Sequence, residues 1–89
     1  MVHRLAGRSA YIEAETRLNQ ALELFQRLET PWQLGRTYSE LGELARLQGQ
    51  AASARGYFQR ALDLFNSIGA APDAARTRTA MEAPGESAA

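Results

Sequence analysis

Two pairs of carboxylates, Glu13 with Glu15 and Glu40 with Glu43, are the first groups in this sequence that general acid–base chemistry would need. Each pair has arginine within one helical turn. Glu13 and Arg17 stand four residues apart, as do Arg36 and Glu40, and Arg46 follows Glu43 by three. On a helix these are surface charge partners worth a few tenths of a kcal/mol, not an acid and base held apart for catalysis. The single histidine, His3, has no ligand set around it, which leaves no metal centre, no general base and no Ser-His-Asp grouping. With no cysteine there is no thiolate nucleophile, no disulfide frame and no cysteine zinc site, in keeping with a reducing compartment. Glycine-rich phosphate loops are absent as well. The chemistry implied is recognition, with no enzyme activity, cofactor or metal.

For recognition the pattern is richer. Arg36, Ser39, Glu43 and Arg46 step by three, four and three, which sets them in one polar line along a helix. Arg76 and Thr79 repeat part of that line forty residues on. On neighbouring helices, Arg36 and Arg76 would suit forked, charge-assisted bonds to acidic groups. Trp32, next to the helix-opening Pro31, is expected to cover the end of the preceding helix in preference to standing as an exposed anchor.

The elements that position these residues must be built from a short chain. At 89 residues there is room for one small domain with a thin core. Ten basic residues, all arginine, balance ten acidic ones. A net charge of zero removes the attraction on which generic nucleic-acid and anionic-membrane binding depend. The start, MVHRLAGRSA, lacks the apolar run of a secretory signal, and no stretch reaches membrane-spanning length. A soluble, cytoplasmic protein without nucleic-acid or membrane partners is expected.

Apolar spacing predicts four helices and no strand. Tyr11, Ala14, Leu18, Ala21, Phe25 and Leu28 line one face of the first, widened by Leu22 and Leu24, with Ser9 as its N-cap. In TPWQ, Thr30 can cap a second helix, Pro31 suits its first position, and Gln33 can complete a capping box. That helix carries Leu34, Tyr38, Leu41, Leu44, Ala45 and Leu47 and ends at Gly49. The third turns Ala54, Phe58, Ala61, Leu62, Phe65 and Ile68 inward and ends at Gly69; Pro72 opens a short fourth.

A shift of forty residues superimposes much of the chain on itself. Ala14 meets Ala54, Leu18 meets Phe58, Ala21 meets Ala61, Leu22 meets Leu62, and Phe25 meets Phe65. The register runs on through the turn to Arg36 with Arg76 and Thr37 with Thr77, which marks a structural repeat. In this the sequence resembles the tetratricopeptide repeat, in its longer form of about 40 residues. The best unit runs from Gly35 to Gly69. Tyr38 stands where the family usually has Trp, Leu41 and Gly42 form the Leu-Gly pair, and Ala54, Phe58 and Ala61 give the small-large-small series, with Phe65 completing the core. The departures are Ala45 where Tyr is frequent, and no Pro directly closing the second helix.

The resemblance implies an all-α fold of antiparallel helix-turn-helix repeats, stacked as a short α-solenoid of about four helices. Residues 1–8 are expected to be a flexible start, 9–83 the repeat domain, and 84–89 a disordered tail. Within the domain, 9–30 is a partial repeat, 31–70 a full one and 71–83 another partial one. Such a chain begins and ends mid-repeat, as a piece of a longer regulatory or scaffold protein would. By the same resemblance, the line of Arg36, Ser39, Glu43, Arg46, Arg76 and Thr79 lies on a concave face that receives a protein or peptide partner. Family members that clamp a peptide carboxylate commonly place Asn directly after the Leu-Gly pair, where this chain has Glu43. The alternative is structural. The stripe from Tyr11 to Leu28 has the spacing of a short coiled-coil seam, and a homo-oligomer formed by that seam or by helix exchange would cover the open ends.

Overall fold

Glycine, proline and one glutamate divide the chain into helices. The computed structural model describes residues 2–83, with side chains described from residue 8 onward. It contains α1 (Val2–Leu28), α2 (Pro31–Leu47), α3 (Ala51–Ser67) and α4 (Ala71–Glu82), and no strand among the described residues. Each helix packs on the one before it, as in a helical-repeat stack.

The three turns share one geometry. After α1, the Glu29 amide donates to Gln26 O and the Thr30 amide to Phe25 O; after α2, Gly49 donates to Arg46 O and Gln50 to Ala45 O; after α3, Gly69 donates to Asn66 O and Ala70 to Phe65 O. These paired bonds are the Schellman closure, which satisfies the last carbonyls of a helix and needs a left-handed residue. Gly49 and Gly69 supply it with φ of 76° and 72°, as expected for the caps. At the first turn the left-handed residue is Glu29, φ 55°, forty residues before Gly69.

That closure accounts for a correction. Thr30 precedes α2, but its hydroxyl makes no cap hydrogen bond, and the box with Gln33 does not form. Thr30 already ends the Schellman turn, and its hydroxyl points back to Phe25 O at 3.5 Å. Pro31 does occupy the first turn of α2. A second correction concerns Ser9. α1 begins at Val2, so Ser9 lies inside the helix instead of capping it. Nothing in the residues before Ser9 breaks a helix as Pro would, and Ser in a helix interior costs only a fraction of a kcal/mol. The expected tail, 84–89, lies outside the described residues, as does the His3 side chain.

The core sits between α2 and α3. Tyr38, Leu41, Ala61, Phe65 and Ala74 form one buried cluster, flanked by Leu18 and Leu22 of α1. Ala45, Ala54 and Phe58 form a second, flanked by Ala80 and Met81 of α4. Phe58 and Leu41 are the largest side chains wholly removed from water. Tyr38, Leu41, Gly42, Ala54, Phe58, Ala61 and Phe65, the residues of the repeat pattern, are all buried. Small and large side chains interlock there: a Cβ placed on Gly42 would lie 2.7 Å from the Phe58 ring. Thr37 and Thr77 are buried but satisfied, their hydroxyls donating to Gln33 O and Asp73 O at 2.8 Å each. Several stripe residues do not reach this core: Leu24, Leu28, Leu47 and Ile68 are exposed. Leu28, Leu47 and Ile68 stand at or beyond the last turns of their helices, at the edges of their stripes.

Candidate functional site

A groove runs between α2 and α4, with α3 beneath it. Its cavity of about 470 Å³ is walled on one side by Trp32, Arg36, Ser39, Glu40 and Glu43, and on the other by Asp73, Arg76, Thr77 and Ala80; Phe58 and Phe65 form the floor. Local chain geometry explains the walls. Pro31 starts α2 at the groove mouth, so Trp32, Arg36, Ser39 and Glu43 recur at steps of three and four down one helix face. Pro72 does the same for α4, whose first turn carries Asp73.

Next to it lies a second hollow of about 700 Å³, lined by residues that include Arg46, Gly49, Arg55 and Met81. Phe58 and Ala80 line both hollows, so the two lie side by side.

The charges are arranged in pairs. Arg36 lies 3.7 Å from Glu40 and places its guanidinium 5.2 Å from the Trp32 ring centre. Arg46 makes a closer bond to Glu43, 2.6 Å from Nη2 to Oε1. Arg76 is hydrogen-bonded to Asp73, and the other oxygen of the same carboxylate accepts the Trp32 indole N–H at 3.1 Å. That last bond ties the mouth of α2 to the first turn of α4. An aromatic face, guanidinium groups already held by carboxylates, and small polar side chains over an apolar floor can bind a polypeptide segment by shape and hydrogen bonding. Among the described residues no cluster of His, Cys, Asp and Glu suits a metal ion, and no helix is long and apolar enough to cross a membrane.

Four of the six residues expected at the site line this groove or its extension on α2: Arg36, Ser39 and Glu43 in the first hollow and Arg46 in the second. Arg76 joins them from α4. Thr79 does not; it is exposed, with its hydroxyl donating to Ala75 O. Thr79, the counterpart of Ser39, is not among the lining residues, and Asp73, Arg76, Thr77 and Ala80 form the α4 wall. Trp32 also differs from expectation: it is 40% exposed and bonded to α4. The sequence signal missed was Asp73, placed one residue after Pro72 as Trp32 follows Pro31.

Four helices joined by turns of one geometry, each packed on the one before it, define an α-helical repeat protein with a groove between α2 and α4. A family model described as tetratricopeptide repeat matches residues 1–67, and the chain belongs to that family. α4, which supplies one wall of the groove, lies beyond the matched residues. No curated protein and no solved structure matches the chain. Tetratricopeptide repeats generally mediate protein–protein interaction and are typically not enzymes.

Proposed function

We propose that the groove between α2 and α4 receives a segment of a partner protein, and that the chain acts as an interaction module within a scaffold or regulatory assembly. One observation carries this reading: two aromatic rings of the repeat core form the floor of a cleft walled by Trp32, Arg36, Ser39, Glu43 and Arg76, with Arg46 in the adjacent hollow. The charged walls are mutually paired, so the fitting ligand is one that offers apolar side chains to the floor and hydrogen bonds to the walls, with ionic attraction secondary. Such binding would be only weakly dependent on salt.

Selection from a displayed random-peptide library, followed by titration against the wild type and the Arg36→Glu, Glu43→Arg and Arg46→Glu variants, tests the assignment. Charge reversal on α2 is expected to weaken the selected peptides by about tenfold or more. Peptides that bind all four proteins equally would place the binding surface elsewhere.

A further inference from the structure

α4 stops short of the helix it repeats. α2 runs for 17 residues and α4 for 12. The two lie abreast: Trp32 of α2 bonds to Asp73 in the first turn of α4, and Ala83, the C-cap of α4, lines the second hollow together with Arg46 and Gly49 at the end of α2. The cause of the stop is local. Ala83 is extended, with φ −68° and ψ 141°, as favoured before a proline, and Pro84 cannot carry the helix on. The space that further turns of α4 would have taken stays open, and Ala51, Ala52, Arg55 and Gly56 of α3 are exposed to it.

Charge in this hollow is one-sided. Among its described lining residues Arg46 and Arg55 are charged and no carboxylate is present. Arg46 already holds Glu43, whereas Arg55 makes no ion pair or hydrogen bond with another side chain among the described residues.

We infer that the segment from Pro84 onward lies back across the second hollow as a strap, with the Glu86 carboxylate accepting from the Arg55 guanidinium. Glu86 is the single charged side chain of the segment PGESAA. It follows Ala83 by three residues, about 10 Å of extended chain. Ala83 and Arg55 line this hollow together and share the next one, between α3 and α4, so the carboxylate leaves α4 within reach of its partner. In the forty-residue register Glu86 also falls level with Arg46. Pro84 and the alanines after Ser87 suit a lining otherwise made of Ala51, Ala52, Phe58, Ala80 and Met81. An exposed ion pair is too weak to hold two separate chains, but so short a tether keeps the carboxylate at high effective concentration. The strap closes the second hollow and leaves the first open. Being intramolecular, it needs no partner and stands apart from the binding role proposed above.

The chain has no cysteine, so a nitroxide can be attached through Ala88→Cys alone. Paramagnetic broadening of the backbone amides of 49–56, across the hollow from α4, is expected. Adding Glu86→Arg should abolish it, and adding Arg55→Glu to that variant should restore it, because the pair is then reversed. Arg55 is exposed, so its reversal leaves the core intact. High salt should weaken the effect in the parent protein. Broadening confined to the end of α4 would overturn the proposal. So would broadening of 49–56 that ignores Glu86→Arg, as a freely trailing segment would give, or that fails to return in the doubly reversed variant.

Discussion

Phe65 packs on Gly35 so closely that a Cβ on the glycine would come within 2.7 Å of the ring. Two helical turns along, Phe58 packs on Gly42 in the same way. These two contacts set the approach of α2 to α3, and with it the depth of the groove.

Substituting those glycines should therefore cost stability although alanine is the better helix former. Gly35→Ala and Gly42→Ala each gain about 1 kcal/mol of helix propensity, against about 1–3 kcal/mol of overpacking on a buried ring. A net loss in urea denaturation is expected. Gly56→Ala is the control: it is exposed within α3, a Cβ there meets nothing within 4 Å, and it should stabilise by about 1 kcal/mol.

Glu29 occupies the left-handed position that Gly49 and Gly69 fill in the other turns. A side chain there is strained by about 1 kcal/mol, so Glu29→Gly should stabilise the chain by about that amount, and Gly69→Ala should destabilise it. Thermal melts of both variants check the pair of signs.

Asp73 joins two helices through one carboxylate, accepting from Trp32 and from Arg76. It also lies in the first turn of α4, where a negative charge is favourable. Asp73→Ala is expected to lose about 1 kcal/mol, felt first by α4. Hydrogen exchange should show faster opening of 71–82 with α2 and α3 little changed.

Phe58→Ala removes a ring that is 2% exposed and belongs to both the core and the groove floor. A cost of about 3–5 kcal/mol is a large share of what a domain of this size has, and a much lower melting midpoint by circular dichroism is expected.

Much of this was legible in the sequence because its cause is local. Pro31, Gly49 and Gly69 announce helix ends through backbone constraints that act on one residue at a time, and the interlocked Gly42 and Phe58 appear at fixed spacing. Glu29 was hidden because nothing about glutamate signals a left-handed conformation; only its alignment with Gly69 does. Ser9 misled because a capping residue starts a helix only where the preceding residues cannot extend it. At the groove, the α2 wall followed from spacing along one helix. The α4 wall did not, because which face of α4 turns back toward α2 depends on the angle between successive repeats, and no single helix encodes that angle. The bond from Trp32 to Asp73 joins residues 41 apart and belongs to that geometry.

The floor of the groove and the centre of the core are the same two rings. On the proposed binding role, Phe58 and Phe65 could not be exchanged to suit a new ligand without loosening α2 from α3, so a change of ligand would fall to the walls. Trp32, Arg36, Ser39, Glu43 and the face of α4 can be altered by substitution while the rings beneath them stay in place.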